Sequence, residues 1–198
     1  MGGGEIVLRA ARPEDAAAVA ELMLEAGGGL FEFLLEDLLP GKTPADLLAM
    51  AVAEEAGAYS HRNVVVAEAQ GRVVGMINAY PAELMKSDQR ELLPRERLDH
   101  IGPLNEIQDW GSFFVSAMAV AAGQRRRGIG QKLLAWACEQ AGRQGFDRIS
   151  LQVWADNEAA RRLYESQGFV VEATARIDPH PRLRRAGQSL LMVRRLSA

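Results

Sequence analysis

Residues Gln124 to Gly130 read QRRRGIG, three arginines running into two glycines that bracket one isoleucine. An apolar stretch, FFVSAMAV, precedes them, and an amphipathic one, QKLLAWACEQA, follows. N–H groups in the first turn of a helix lack intrahelical partners, and the helix dipole makes that end positive. Glycines let a large anion come close to the backbone. Arginines add charge and forked donors matched to phosphate. A strand, this turn and a helix together make a site for a phosphate or pyrophosphate. Taken alone, the same residues also fit a plain strand-to-helix turn with solvated arginines.

Two nucleotide-binding patterns fail here. A P-loop needs G-x-x-x-x-G-K-[ST]. Gly123 and Gly128 have its glycine spacing, but Ile129 and Gly130 stand where the lysine and the hydroxyl belong. The dinucleotide fingerprint G-x-G-x-x-G fails at its sixth position, which is Leu133. A second stretch, NEAARRLYESQGF, opens with Asn157 where a side-chain N-cap belongs. Its Tyr164 shares an apolar helical face with Ala160 and Leu163, so it could be core or chemistry.

The elements that must position these residues are legible from periodicity. EIVLRAAR alternates and is β-branched, which predicts a first strand over Glu5–Arg12, with a helix over Glu14–Ala26 stopped at Gly27-Gly28-Gly29. LFEFLLEDLLPGK is read as a short helix before Pro40-Gly41, and Thr43-Pro44 caps a helix from Ala45 to about Ala56. NVVVAEAQ and RVVGMINAYP form a hairpin turning at Gly71. Residues 82–109 break the rhythm and are read as an inserted, partly helical connection. GSFFVSAMAV is a strand, and a helix follows from about Ile129 to Gly142. RISLQVWA is a strand, NEAARRLYESQGF a helix closed by Gly168, and FVVEATARI and QSLLMVRRL are strands around Asp178-Pro179-His180-Pro181. With QSLLMVRRL last, an edge strand through which two copies pair, a homodimer, is an expectation.

MAVAAGQRRRGIGQKLL resembles the acyl-CoA-binding motif of the GNAT family of N-acetyltransferases, whose core is [RQ]-x-x-G-x-[GA]; Arg125, Gly128 and Gly130 occupy its fixed places. LQVWADNEAARRLYESQGF resembles that family's second motif, with Asn157, Leu163-Tyr164 and Gly168-Phe169 at its spacing. The resemblance covers the whole chain, best from about 110 to 177, and is poor over 82–109, the acceptor side. It implies an α/β (α+β) fold with a central mixed, mostly antiparallel sheet flanked by helices, as one domain over 1–198. It further implies acetyl-CoA as co-substrate and a primary amine as acceptor, attacked directly in a ternary complex. The pyrophosphate would rest on N–H groups of Arg125, Arg126, Arg127, Gly128, Ile129 and Gly130, with the side chains of Arg126 and Arg127 also reaching phosphate. The pantetheine arm would pair with the backbone of Met118, Ala119 and Val120, whose N–H groups would polarise the thioester carbonyl. Asn157 would contact that arm, and Tyr164 would protonate the departing thiolate. For the amine's proton, Glu68, Glu106 and Asp109 are candidate acceptors, although each reads first as a solvated charge; His180 could border the acceptor mouth but reads first as an ordinary loop histidine.

Composition narrows the classes. The chain has 198 residues, with Lys+Arg 23 against Asp+Glu 26, a formal charge of −3. A core of this size needs no metal or disulfide staple. The charge opposes a nucleic-acid or membrane binder. The single cysteine, Cys138, falls in a helix and reads as core; with one cysteine a cytoplasmic home is expected. His61, His100 and His180 are scattered, so no metal site is expected. MGGGEIVLR has no basic region leading into an apolar one, and Ile6 spoils a myristoylation signal. The acceptor stays open between a small molecule and a protein N-terminus or lysine; the acids of 82–109 lean mildly to a cation, although Lys86, Arg90, Arg95 and Arg97 are interleaved with them. A non-catalytic acyl-CoA-binding module and an oligonucleotide binder using Arg125–Arg127 are the competing functions.

Overall fold

The computed structural model describes residues 5–87 and 92–196. Seven strands form one sheet: β1 (Val7–Ala10), β2 (Val64–Ala69), β3 (Arg72–Pro81), β4 (Phe113–Val120), β5 (Arg148–Trp154), β6 (Val170–Ile177) and β7 (Gly187–Arg195). Their spatial order is β1-β2-β3-β4-β5-β7-β6. Every neighbouring pair is antiparallel except β4 and β5. The expected mixed, mostly antiparallel sheet is therefore present. The eight α-helices among the described residues are α1 (Ala16–Gly27), α2 (Leu30–Leu35), α3 (Pro44–Ala53), α4 (Leu84–Ser87), α5 (Arg95–His100), α6 (Gly102–Glu106), α7 (Ile129–Arg143) and α8 (Glu158–Ser166). None is long and apolar enough to cross a membrane.

Local chemistry explains most boundaries. The first strand is shorter than its alternating stretch, because Arg12 and Pro13 open a helical turn that Asp15 closes through its carboxylate on the Arg12 N–H, 2.8 Å away. Thr43 and Asp46 form a reciprocal capping box at the start of α3. Asn157 caps α8 by accepting from the Ala160 N–H at 3.3 Å, and Gly168, at φ 82°, follows its end as expected. The turn between β2 and β3 uses Gln70 and Gly71, both with positive φ, as a two-residue hairpin does.

The sheet is covered on both faces. Val65, Ala67, Ile77, Leu151 and Met192 pack against Ile129, Leu133, Leu134 and Ala137 of α7. Val64, Val66 and Met76 pack against Val19, Ala20 and Met23 of α1 and Leu48 of α3. Alternation along β2 thus feeds two cores, as a sheet buried on both sides requires.

In β4 the alternation slips. Phe113 and Val115 belong to the α7-side core, whereas Ala117 and Ala119, two and four residues beyond Val115, belong to the α1-side core. The register shows the cause: Ala79 pairs with Val115 and Asn78 with Ala117, leaving Ser116 as an extra residue on β4. A bulge of one residue sends every later side chain to the opposite face. Buried Asn78 pins it. Its Oδ1 accepts from the Ser116 hydroxyl, and its Nδ2 donates to the carbonyls of Ala58, at 3.1 Å, and Asn63, at 3.2 Å.

One expectation changes. QSLLMVRRL is not an edge: β7 lies between β5 and β6, so the free edge on that side is β6, where Val170 and Val171 are 59% and 45% exposed. Segment 82–109 carries α4, α5 and α6 and is packed down. Ile101 and Leu104 are buried with Phe33, Trp154, Ile177 and Leu183 in a separate small core, and Arg97 donates to the carbonyls of Leu34 and Glu36 at 3.2 and 2.6 Å. Asp88, Arg90 and Glu91 of that segment lie outside the described residues.

Asn78 holds the bulge from the middle of the sheet, so Asn78→Leu removes a donor from the Ala58 and Asn63 carbonyls and the acceptor of the Ser116 hydroxyl. We expect a loss of about 1–3 kcal/mol in stability, read as a lower urea midpoint at unchanged slope.

Candidate active site

β4 and β5 run parallel only over Phe113–Val115 against Ile149–Leu151. Beyond Val115 they part, and the gap is the mouth of a cavity of about 790 Å³. The closed end is tied shut. Ser112 and Ser150 share a hydrogen bond of 2.6 Å between the strands, and Arg148 holds both carboxylate oxygens of Asp109 at 2.7 and 2.8 Å.

Ala117, Met118, Ala119 and Val120 of β4 line one wall, and Leu151, Gln152, Val153 and Trp154 of β5 the other. On its β5 side this part of β4 has no strand to pair with, so a ligand rich in amides could lie along it as an added strand.

The turn from β4 into α7 forms one end. Arg126 and Gly128 both adopt left-handed backbone, at φ 61° and 76°. The first intrahelical bond runs from the Lys132 N–H to the Gly128 carbonyl. The N–H groups of Ile129, Gly130 and Gln131 therefore have no acceptor within the helix, and all three residues line the cavity. This is a cradle for an anion at a helix N-terminus.

The two glycines serve different ends. A Cβ on Gly128 would meet only a distant Gln131 Oε1, so its backbone angle, not space, demands glycine. A Cβ on Gly130 would sit 3.2 Å from Leu163 Cδ2, so this glycine lets α7 approach α8.

The three arginines separate. Arg125 and Arg126 line the cavity and Arg127 does not. Arg127 hydrogen-bonds Gln124, and Arg125 ion-pairs with Glu25 while its Nε donates to the Val120 carbonyl at 3.0 Å. Arg125 thus fastens the turn to α1 and to the end of β4, whereas Arg126 lines the cavity and has no ion-pair partner among the described residues.

Tyr164 and Asn157 of α8 also line the cavity. Asn157 caps its helix through Oδ1 alone. Tyr164 is 8% exposed and packs tilted against Phe169, ring centroids 5.9 Å apart. Burial pushes its phenol pKa up to about 12, so at neutral pH it is a proton donor and never a base.

The carboxylates weighed as bases are elsewhere. Glu68 is bound by Arg9 at 2.7 Å, Asp109 by Arg148, and Glu106 is exposed; none lines the cavity. His180 does not line it either. It stacks with His100 and Phe33, centroids 5.0 and 4.9 Å away, so two histidines distant in sequence meet. Cys138 is half-buried, its thiol pKa pushed up by burial, and Arg194 donates to its sulfur.

Sequence reasoning missed Ser116, Asn78, Gln108 and Gln152. A serine inside FFVSAMAV and an asparagine inside RVVGMINAYP were the available signals, each a polar residue in an apolar strand. The two glutamines carried none.

Residues 30–169 match the acetyltransferase (GNAT) family. The chain belongs to that family, whose members are acyltransferases using acetyl-CoA. An uncharacterized N-acetyltransferase, YsnE, of Bacillus subtilis (strain 168) is 37% identical over 76 residues, 37% of this chain and 50% of that protein, so the match spans half of that relative's length. A crystal structure of an acetyltransferase is similar with a TM-score of 0.73 and 29% identity, covering 96% of this chain and 100% of that one. An N-acetyltransferase from Staphylococcus aureus Mu50 is similar with a TM-score of 0.72 and 25% identity, covering 94% and 99%.

Two substitutions test the anion cradle. Gly128→Val forces a β-branched residue into left-handed backbone and should weaken acetyl-CoA binding at least about tenfold by calorimetry. Arg126→Ala should raise KM for acetyl-CoA with kcat near its parent value, the pattern of lost uniform binding, whereas Arg127→Ala should leave both constants near the parent's.

Proposed function

We propose that the protein transfers the acetyl group of acetyl-CoA to a primary amine by direct attack within a ternary complex. The observation that carries this reading is that one cavity joins three things: the N–H cradle at the start of α7, the unpaired edge of β4, and the Tyr164 phenol. The cradle suits the pyrophosphate, through Arg125 to Gly130. The edge at Met118, Ala119 and Val120 suits the amide-bearing arm, with Asn157 facing it across the gap. In this reading all of residues 1–198 act as one domain, with 82–109 on the acceptor side. A cytoplasmic setting is proposed from the single cysteine. A homodimer, if formed through a sheet edge, would use β6.

In the reaction the neutral amine nitrogen attacks the thioester carbon. The C–N bond forms, the C–S bond breaks, and the nitrogen's surplus proton passes to water. Backbone N–H groups of β4 steady the carbonyl oxygen as charge develops. Tyr164 gives its proton to the leaving sulfur and regains one from water. A phenol at about 12 is a weaker acid than a free thiol at about 8.5. The leaving thiolate forms in the same desolvated cavity, however, and burial raises its proton affinity too. The phenol is always protonated when the thiolate appears, which a carboxylate at about 4 would not be.

Tyr164→Phe keeps the ring on Phe169 and removes the proton. Single-turnover release of CoA thiol should slow by roughly 10²–10⁴, with acetyl-CoA affinity nearly unchanged. A rate within about threefold of the parent returns Tyr164 to core, and no thiol release from the parent with any amine would leave an acyl-CoA-binding module.

A further inference from the structure

The acceptor half of the cavity has a different character from the donor half. Its walls include Phe31, Leu34, Ile101, Leu104 and Trp154. Among the described residues, the only charged side chains lining the cavity are Glu25, Arg125 and Arg126. The first two are paired with each other, and all three belong to the α7 end. Of the acids of 82–109 expected to favour a cation, those among the described residues do not line it: Glu83 pairs with Lys86, Asp109 with Arg148, and Glu96, Asp99 and Glu106 are exposed.

Gln108 lines the cavity, is only 6% exposed, and its Nε2 is a buried donor with no acceptor among the described residues. Its orientation follows from its neighbours. Gln152 Nε2 donates to the Leu104 carbonyl at 2.9 Å and to Gln108 Oε1 at 2.9 Å. Turning the Gln152 amide over would set oxygen against the Leu104 carbonyl. Turning Gln108 over would set two N–H groups against each other. The Leu104 carbonyl therefore fixes both amides, and Gln108 is left as a buried donor without an acceptor, which costs free energy unless a ligand supplies one.

We propose that the acceptor is an α-amino amide with an apolar side chain, its carbonyl taking the free Gln108 N–H and its side chain lying among Phe31, Leu34, Ile101 and Trp154. This rests on the acetyl-transfer reading above. A polycation would meet apolar walls with no counter-charge among the described residues. A free amino acid would bring a carboxylate with no cation to receive it. A third consideration concurs. Since Glu68, Glu106 and Asp109 lie off the cavity, the amine must be neutral on arrival. An α-amine has a pKa of about 8 against about 10.4 for a lysine-type amine, which makes its neutral fraction at pH 7 about two hundred times larger. Free amino-acid amides and polypeptide N-termini share this chemistry.

The test measures kcat/KM at pH 7 for phenylalaninamide, phenethylamine, phenylalanine and spermidine, with a Phe-initiated tripeptide as a further arm. Phenylalaninamide or the tripeptide should be best, and whichever leads identifies the source. Gln108→Met should lower kcat/KM for phenylalaninamide about tenfold, with little change for phenethylamine, which lacks the carbonyl, and none in KM for acetyl-CoA. Gln108→Glu, matched in size, should show the same loss on phenylalaninamide and a gain on spermidine, and stands in should the Met variant fail to fold. Spermidine or phenylalanine as best acceptor, or equal losses on phenylalaninamide and phenethylamine, would overturn the assignment while leaving acetyl transfer intact. Calorimetric binding of phenylalaninamide to the CoA-saturated protein without any thiol release would do the reverse.

Discussion

The extra residue at Ser116 is the constraint from which the site follows. β4 must serve two partners at once. Up to Val115 it pairs with β5 and sends Phe113 and Val115 toward α7. Beyond that it must leave β5, keep β3, and still bury its side chains. The bulge allows all three: pairing with β3 resumes at Ala117, the small Ala117 and Ala119 turn toward α1, and the β5-facing edge is freed. Asn78 spans the slip, bonding the bulged residue on one side and two loop carbonyls on the other. A polar pair inside a sheet is costly unless every group is satisfied, and here the satisfaction is what fixes the register.

The cavity opened by this parting is electrically divided. Its α7 end combines unpaired N–H groups, the positive end of a fifteen-residue helix, and Arg126. Its other end is mostly apolar, with Tyr59, Gln108 and Gln152 among its polar groups. A triply phosphorylated carrier and an uncharged acceptor would thus enter environments suited to each, and the thioester would fall where the two meet, beside Tyr164. The arginines follow the same logic. Arg125 is taken up by Glu25 and the Val120 carbonyl, so it shapes the turn, and Arg127 bonds Gln124 outside the cavity. A run of three like residues therefore holds three different jobs, which only the left-handed backbone at Arg126 separates.

Much of this was legible in the sequence because periodicity and capping are local. The helix foreseen over Ile129–Gly142 is α7 to within one residue, and the caps at Thr43 and Asn157 stand where their side chains required. What depended on distant pairing was not legible. The order of the last two strands is an example. Either strand of that hairpin can dock on β5, and chain order made QSLLMVRRL look terminal and therefore an edge. Its own residues argue otherwise: Ser189 through Val193 are buried without alternation, as in an interior strand, whereas Val170, Val171, Glu172 and Thr174 are exposed. The base was left open in the sequence for a related reason: Glu68 and Asp109 each have a complementary arginine within reach only in the fold, and a paired carboxylate is held away from other work.

The glycines show why a short motif can be specific without any side-chain chemistry. Gly128 answers to a backbone angle and Gly130 to the proximity of Leu163, two unrelated requirements two residues apart. Substituting either would disturb the same N–H cradle by a different route, one through the turn and one through the seating of α8. Since α8 also carries Asn157 and Tyr164, the contact of Gly130 with Leu163 couples the anion end of the cavity to the phenol. The family's two motifs are therefore one packing unit: the first carries the N–H groups, the second the phenol, and a missing Cβ lets them line the same cavity.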